Sequence, residues 1–136
     1  MMSNPVDTYF ALVAALKSED EAAIRALISP DFVMYEDEGM PYGGVYRGQD
    51  GFFELIDKVW RTWGGTHFEP LYQIADPAGS MVCAVVGFRG TPGQSTEAVE
   101  ALINEVWEFR NGQAVEARVW YFDAPRLCRA IEGTRA

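Results

Sequence analysis

The hydrophobic pattern changes near the middle of the sequence, and this change constrains the fold more than any other feature. Before Gly64-Gly65 the apolar residues recur mainly at helical spacing. After it come four strand-like runs, over 66–74, 81–89, 98–109 and 114–122. Turn residues separate these runs, and Asn111-Gly112 favours a tight hairpin between the last two. The second half therefore predicts a meandering antiparallel sheet.

The first half predicts helices with one short strand among them. A helix is expected over 5–17, because Pro5 suits the first helical turn. Ser18 and Glu21 stand at capping-box spacing and predict a second helix that stops before Pro30. The remaining elements are a strand over 32–35, a turn-rich loop over 36–44, a helix over 48–62 and a terminal helix from Asp123 to near Gly133. Together they predict one α+β domain over 1–136.

Composition and charge narrow the range of partners. Hydrophobic residues make up 49% of the chain and aromatic residues 13%, which is enough for a core without disulfides or metals. The net charge of -9 repels phosphate backbones and anionic lipid surfaces, so we expect neither a nucleic acid nor a membrane partner. His67 is the sole histidine, which excludes multi-histidine metal centres, and we expect no metal and no other cofactor.

Cysteine spacing and the N-terminus indicate the compartment. Cys83 and Cys128 share no short spacing and have no His or Cys neighbours, so we interpret both as buried thiols. The first residues lack a basic stretch followed by an apolar run, and the longest apolar segment, 81–86, is too short to cross a bilayer. We therefore expect a cytoplasmic protein.

Side-chain alternation along the third strand-like run places an acid on the inner face of the sheet. The more apolar set consists of Ala101, Ile103, Trp107 and Phe109, and Glu105 belongs to it. A carboxylate on an apolar face costs several kcal/mol unless it is hydrogen-bonded, paired or protonated. Glu105 is thus either a functional acid or an acid with a partner elsewhere in the chain.

The last run predicts one apolar face and one aromatic outer face. The inward set is Val115, Ala117, Val119 and Tyr121, with Asp123 at its end. The opposite set, Arg118, Trp120 and Phe122, is too aromatic for a face that only meets solvent. We therefore predict a homodimer formed through the outer face.

The order of these elements resembles the nuclear transport factor 2-like superfamily over the whole chain. Three segments are similar to its SnoaL-like polyketide cyclase and ketosteroid isomerase branch: GMPYGGVYRG at 39–48, the hairpin from Trp107 to Gly112, and the ending Tyr121-Phe122-Asp123. The resemblance implies a single SnoaL-like domain with a cone-shaped fold, in which a curved antiparallel sheet wraps around N-terminal helices and encloses a largely apolar pocket.

The resemblance also implies roles for individual residues. Ketosteroid isomerases use an Asp base just after the first strand and an oxyanion hole made of a Tyr and a protonated acid. Asp37 matches the position of the base and Glu105 that of the protonated acid, whereas Leu12 stands where the Tyr belongs. Tyr9 lies about one helical turn earlier. In SnoaL-type cyclases a carboxylate moves protons during ring closure, a role that Asp123 or Asp37 would take.

The sequence allows a second interpretation for three of these residues. Asp37 lies between two glutamates and also fits a solvated acid in an acidic loop. Asp123 precedes Ala124-Pro125 and also fits a helix N-cap. His67 fits a surface histidine or one that faces a second subunit.

The predicted pocket is lined by aromatic and apolar side chains, which favours a flat, apolar or polycyclic ligand. The expected ligand contacts are Tyr9, Tyr35, Trp60, Trp63, Trp107, Phe109, Val119 and Tyr121. The sequence therefore predicts a cofactor-free isomerase, cyclase or related lyase that transfers protons on a small apolar carbonyl compound. A non-catalytic binding protein for such a ligand, or a dimerisation module, is the alternative.

Overall fold

The computed structural model describes residues 4–93 and 95–133, and in it a group of helices precedes a long meander of strands. The elements are α1 (Pro5–Lys17), α2 (Glu21–Leu27), β1 (Ile28–Glu36), β2 (Gly44–Arg47), α3 (Gly48–Trp63), β3 (Thr66–Ala75), β4 (Met81–Gly90), β5 (Val99–Arg110), β6 (Gln113–Tyr121) and α4 (Ala124–Glu132). The predicted α+β class is confirmed, and most bounds agree with the periodicity of the sequence.

The six strands form one curved, open sheet in the order β2-β1-β6-β5-β4-β3. From β3 to β6 it is the predicted antiparallel meander. At the β5–β6 turn, Asn111 and Gly112 have φ of 52° and 74°, the left-handed values that a tight hairpin requires. β1 adds to β6 in parallel, with Met34 opposite Ala117, and β2 pairs antiparallel with β1 at the edge. Long-range pairing of this kind has no local sequence signal.

The second helix begins at a different cap from the predicted one. Asp20, and not Ser18, is the N-cap of α2, and its Oδ1 accepts a hydrogen bond from the Ala23 amide at 3.1 Å. Ser18 is instead the C-cap of α1. The physical reason is that the chain needs Ser18 and Glu19 to turn between the two helices, and Glu19 has a φ of 53°.

The first strand is longer than the predicted 32–35. It spans Ile28–Glu36 and includes Pro30, near which the pairing with β6 shifts its register. A strand tolerates proline at such an irregularity because no regular ladder hydrogen bond is lost there. The C-terminal extension is important for the site, because it places Glu36 on the inner face as the last buried residue of the strand.

Helix α3 covers the inner face of the sheet and ends at a tightly held tryptophan. It buries Phe52, Leu55, Val59 and Trp63, and each such side chain contributes about 1.5–3 kcal/mol through burial. Gly64 follows in the left-handed conformation, with a φ of 65°. A Cβ at Gly64 would lie 2.6 Å from the Thr91 carbonyl oxygen, so only glycine fits this close approach. Trp63 is thereby fixed at the end of α3.

The inner faces of β5 and β6 agree with the predicted alternation except at one position. Ala101, Ile103, Trp107 and Phe109 are all buried on β5, as are Ala117, Val119 and Tyr121 on β6. Val115, which the alternation places inside, is half-buried, and Ala114 takes the inner position instead. The cause is a shift in the register of β5 and β6 next to the hairpin.

The interpretation of both cysteines as buried thiols is wrong. Cys83 is exposed, because its neighbours Val82 and Ala84 take the inner face of β4 and turn it outward. Cys128 on α4 is half-buried, and its thiol donates a hydrogen bond to the Gly39 carbonyl oxygen at 3.0 Å.

Two features of the described residues bear on membrane and metal contacts. No helix among them has both the length and the apolar character that crossing a membrane requires. The same part of the chain contains no group of three or more His, Cys, Asp or Glu side chains arranged to hold a metal ion. His67 is exposed on β3, as expected for a surface histidine.

Candidate acid/base site on the inner face of the sheet

Two glutamates project from the inner face of the sheet. Glu36 ends β1 and is only 5% exposed. Glu105 lies in β5 between Ala84 of β4 and Val119 of β6. Within residues 4–93 and 95–133, no lysine or arginine forms an ion pair with either carboxyl. Carboxyls in such surroundings stay protonated or depend on hydrogen-bond donors.

Glu105 has two donors, and both contact the same oxygen. The Trp107 indole Nε1 donates to Oε1 at 3.0 Å, and the Tyr9 hydroxyl donates to the same atom at 3.4 Å. Burial raises the pKa of Glu105, and these two hydrogen bonds partly oppose the rise. Tyr9 on α1 therefore supplies the hydroxyl next to the acid although Leu12 stands at the family's tyrosine position.

Glu105 keeps more accessible surface than its cross-strand neighbours. Glu105 is half-buried, although its cross-strand neighbours Ala84 and Val119 are 0% and 4% exposed. Both neighbours are short side chains, so they leave room next to the longer glutamate.

Glu36 is the second acid of the inner face, and its surroundings perturb it strongly. The pKa of Glu36 is raised from 4.5 to about 8, chiefly by burial; the Tyr121 hydroxyl opposes this rise, and the nearby Glu105 and Asp37 add to it. Its Oε1 is buried and has no hydrogen-bond partner among the described residues. An unsatisfied buried polar atom costs about 1–3 kcal/mol. This oxygen therefore lacks the partner that a buried polar atom usually has.

Three buried aromatic side chains lead to Glu36. The Trp63 indole Nε1 donates to the Tyr42 hydroxyl at 2.9 Å, and the Tyr42 hydroxyl donates to that of Tyr121 at 2.8 Å. Burial raises the pKa of Tyr42 and of Tyr121, so both remain protonated donors at physiological pH. Tyr121 is beside Glu36 on the inner face, two residues beyond Val119, which pairs with Glu36.

Asp37, predicted as the base, has both carboxylate oxygens engaged by backbone amides. Oδ1 accepts from Gly39 at 2.8 Å, and Oδ2 accepts from Tyr121 at 2.9 Å. These bonds attach the loop that follows β1 to the end of β6. The structure places the preceding residue, Glu36, inside, because the alternation of β1 turns Glu36 inward and the chain leaves the strand at Asp37.

Asp123, predicted as a reserve acid, lies on the surface. It is exposed and caps α4, where its Oδ1 accepts from the Arg126 amide at 3.3 Å. Its other oxygen is 3.5 Å from the Arg126 guanidinium. The alternation of β6 ends at Tyr121, since Asp123 adopts a left-handed conformation with a φ of 56° and turns away from the interior. The geometry is that of the helix N-cap.

The predicted ligand contacts divide into an interior set and two exceptions. The interior set is Tyr9, Trp63, Trp107, Phe109, Val119 and Tyr121. Trp60 is half-buried at the edge of the core. Tyr35 faces outward, because it alternates with the buried Met34 and Glu36, and the Arg118 guanidinium lies 4.0 Å from the centre of its ring. The placement of Tyr35 in the pocket is therefore wrong, whereas Arg118 faces away from the interior as predicted.

A separate open cavity of about 950 Å³ runs along the β3 edge of the sheet. Its lining extends from Leu16 and Trp60 to Leu71, Leu102 and Phe122 on the outer face, and it includes neither Glu36 nor Glu105. The acids that line it are Glu19, Glu69 and Glu100. Since these three lie near the surface and Glu69 is paired with Lys17 at 2.9 Å, we place the candidate chemistry at the inner-face acids instead.

A curved sheet packed on helices, with acids on its inner face, defines a class of small α+β domains built around an interior site. Residues 7–117 match the family model of the SnoaL-like domain. The chain therefore belongs to the SnoaL-like family within the nuclear transport factor 2-like superfamily, as the sequence motifs predict.

Solved structures agree with this assignment. A nuclear transport factor 2-like protein of unknown function from Burkholderia pseudomallei has 26% identity and a TM-score of 0.83, over 96% of this chain and 98% of that one. TerC, co-crystallised with polyporic acid, has 22% identity and a TM-score of 0.83, over 96% and 99%. A protein assigned as a SnoaL-like polyketide cyclase from Jannaschia has 14% identity and a TM-score of 0.78, over 94% and 91%. Among curated proteins, none matches the sequence.

Proposed function

We propose that this chain transfers a proton on a small, mostly apolar carbonyl compound held against the inner face of the sheet, without a cofactor. The observation that carries the proposal is the Glu36 carboxyl, which is 5% exposed and has one oxygen without a partner among the described residues. The cyclase assigned to the same family supports a reaction of this class. Isomerisation and ring closure both begin with such a proton transfer.

In this proposal Glu36 is the general base. Its ionised carboxylate removes the proton from the carbon next to the carbonyl group, and the resulting acid returns a proton at the product carbon. A base works best when its pKa is close to the working pH. The pKa of about 8 allows Glu36 to exist in both forms near neutral pH.

Glu105 is the partner that stabilises the developing oxygen charge. Because burial raises its pKa, it can stay protonated and donate a hydrogen bond to the carbonyl oxygen while the enolate forms. Trp107 and Tyr9 hold one of its oxygens, which leaves the other available to the substrate. Two acids that differ in their neighbours can therefore take different roles.

The walls of the site favour a flat substrate. Trp107 stacks between Phe32 and Phe109, with ring centres 6.0 Å apart on each side and interplanar angles of 20° and 12°. Flat aromatic surfaces contact planar ligands over the largest area. Because TerC was co-crystallised with polyporic acid, we include that compound among the first ligands to test.

The test is deuterium exchange, which detects the proposed step without knowledge of the product. A panel of apolar ketones in heavy water is followed by proton NMR, and we expect the chain to speed exchange next to the carbonyl group for some members. Glu36→Gln should lower this rate about 10²- to 10⁴-fold. Glu38→Gln, which neutralises an exposed acid two residues away, is the matched control and should leave it unchanged. Equal rates in wild type and Glu36→Gln would remove Glu36 from the mechanism.

A non-catalytic binding protein is the second candidate, and one contact favours it. The Tyr9 hydroxyl donates to Glu105, so it is not directed at a ligand. In that case native mass spectrometry would recover an unmodified compound from the protein, and no ketone in the panel would exchange.

We also propose that a second copy of the chain covers the outer face of the sheet. Six large hydrophobic side chains are exposed there, namely Leu71, Tyr72, Ile74, Leu102, Trp120 and Phe122, with exposed fractions of 45–69%. Monomeric proteins rarely expose so large an apolar surface, and a two-fold axis would bury it against itself.

A further inference from the structure

The buried aromatic side chains next to Glu36 form a directed arrangement, and its interpretation rests on the proposed role of Glu36. We propose that Trp63, Tyr42 and Tyr121 form one chain of hydrogen-bond donors that ends on the Glu36 carboxyl. We further infer that Asp37 is a positioning residue that holds this chain in place. Below, these three aromatic residues are called the donor chain.

The chemistry of the groups sets the direction of the donor chain. The Trp63 indole N–H can only donate, so the Tyr42 hydroxyl accepts it at 2.9 Å. Tyr42 then directs its own proton to the Tyr121 hydroxyl at 2.8 Å. Tyr121 then has its own proton left to donate. It lies two residues beyond Val119, which pairs with Glu36 across β1 and β6, so the Glu36 carboxyl is beside it on the same inner face. Trp63, Tyr42 and Tyr121 are 0%, 4% and 8% exposed, so bulk water does not compete for these bonds.

Backbone contacts fix both ends of the donor chain. The carbonyl oxygen of Trp63 accepts from the Thr91 amide at 2.8 Å, which anchors the end of α3 to the end of β4. At the other end, Asp37 accepts from the Tyr121 amide at 2.9 Å.

The loop that carries Tyr42 is held as firmly as the two ends. The other oxygen of Asp37 accepts from the Gly39 amide at 2.8 Å, at the start of that loop. The Tyr46 hydroxyl donates to the Tyr42 carbonyl oxygen at 2.7 Å. Asp37 therefore aligns the two tyrosines from both sides, which gives its two backbone contacts a purpose that the role of a base does not.

The expected consequence is a stronger acid at Glu36 than burial alone would give. A donor stabilises the ionised carboxylate, and each donor along the chain polarises the next. The titratable groups that face Glu36 are Tyr121 on β6, Glu105 on β5 and Asp37 in the loop, with Tyr42 one hydroxyl further away. Among these, Glu105 and Asp37 raise the pKa of Glu36, so the donor chain is what opposes them.

The four tryptophans of the chain are the NMR probes for the experiment that tests the donor chain. In wild-type protein labelled with nitrogen-15, the indole N–H signal of Trp63 should shift as Glu36 titrates, because the two groups are joined through the tyrosines. The midpoint of this shift should equal the pKa of Glu36. Trp60 and Trp120 have no such link and are internal controls, and Trp107 should follow Glu105 instead. The pKa of Glu36 itself is read from its carboxyl carbon.

Two isosteric variants separate the donor chain from general loop packing. Tyr121→Phe should raise the pKa of Glu36 by about one unit or more, since a hydrogen bond to a charged group is lost. Tyr42→Phe should raise it by less and should abolish the response of Trp63. The matched control is Tyr35→Phe, which removes a hydroxyl from the residue next to Glu36 but on the opposite face of β1, and it should leave both readings unchanged.

Three results would contradict the donor chain or the role of Asp37, and none of them tests whether Glu36 is a catalytic base. The donor chain does not exist if the Trp63 signal stays constant while Glu36 titrates, or if Tyr35→Phe and Tyr42→Phe shift the pKa of Glu36 equally. Asp37→Asn should also weaken the response of Trp63, and an unchanged response would contradict the positioning role of Asp37. Deuterium exchange tests the role of Glu36 as a base separately. If Glu36→Gln does not change the exchange rate, the proposed function fails, but the link between Trp63 and Glu36 in the NMR titration of wild type can still be present.

Discussion

The two faces of one sheet carry opposite kinds of unusual residue. The inner face holds two acids, Glu36 and Glu105, among aromatic rings, whereas the outer face exposes Trp120 and Phe122 to solvent. Outer-face charges are instead paired, as Arg118 is with Glu116 at 3.7 Å. Burying an unpaired acid and exposing a large apolar side chain both cost free energy. The comparison teaches that neither face is explained by the folding of one isolated chain, since each implies a missing partner.

The largest expected effect concerns the pH dependence of stability. Burial raises the pKa of Glu36 in the folded state from 4.5 to about 8, so the folded protein binds this proton more tightly than the unfolded chain. Its contribution to stability is present in full below pH 4.5 and is lost as the pH rises through 8. The loss for such a shift is roughly 3 to 6 kcal/mol.

Urea unfolding of wild type and Glu36→Gln across this pH range isolates the effect. The amide of the variant does not titrate, so the variant protein should not show this loss. Between acid and alkaline conditions its free energy of unfolding should fall less than that of the wild type, by roughly 3 to 6 kcal/mol. Glu38→Gln, in the exposed part of the loop, should follow the wild type. Parallel pH profiles for wild type and Glu36→Gln would mean that the inner face does not hold a perturbed acid at this position.

A second prediction compares one tryptophan on each face. Trp107 is 3% exposed and Trp120 is 47% exposed. Trp107→Ala should lower the free energy of unfolding by about 3–5 kcal/mol, because it leaves a cavity and removes a donor to Glu105. Under conditions where the chain is monomeric, Trp120→Ala should change it by at most about 0.5 kcal/mol. Chemical denaturation measures both, and equal losses would erase the distinction between the faces.

A third prediction uses the outer face alone. Trp120→Glu places a charge at the centre of the proposed interface and should raise the dissociation constant of the dimer by about tenfold or more. Sedimentation equilibrium measures this constant, and Glu97→Gln in the 91–98 loop is the control for a change of charge. A monomeric wild type at micromolar concentration would contradict the proposed dimer.

The smallest expected effect lies at the second acid. Tyr9→Phe removes the longer of the two hydrogen bonds to Glu105, at 3.4 Å, and keeps the ring in the core. We expect a loss of about 1 kcal/mol or less in stability and a further rise in the pKa of Glu105. Carbon-13 NMR of the carboxyl measures the pKa, and a fall would show that Tyr9 is not a donor to this acid.

The sequence predicts that Glu105 lies on the inner face of the sheet, but it does not predict this for Glu36. The reason is the position of each residue in its strand. Glu105 lies well inside a long run, so Trp107 and Phe109 on the same face establish its direction. Glu36 lies at the end of a strand predicted to stop at residue 35, and a strand end is where pattern gives the least information. The family resemblance instead assigns the base to Asp37, one residue further along the chain.

Other parts of the site depend on contacts between residues distant in the sequence. Tyr42 and Tyr121 are 79 positions apart, and a tyrosine in a glycine- and proline-rich loop carries no sign that it will be buried. The bonds of Asp37 to two backbone amides are equally invisible before the loop and β6 are brought together. Phe32 and Met34 alternate on the inner face, and the same alternation continued by two residues places Glu36 there as well. This pattern is the sequence signal that predicts an inward Glu36.

The most direct test of this account is a carbon-13 NMR titration of the Glu36 and Glu105 carboxyls, assigned with Glu36→Gln and Glu105→Gln. We predict that Glu36 titrates near pH 8 and that Glu105 titrates above its ordinary value, with each curve altered by removal of the other acid. If both carboxyls instead titrate near 4.3, the model-peptide value, they are solvated, and the inner face is not an acid/base site.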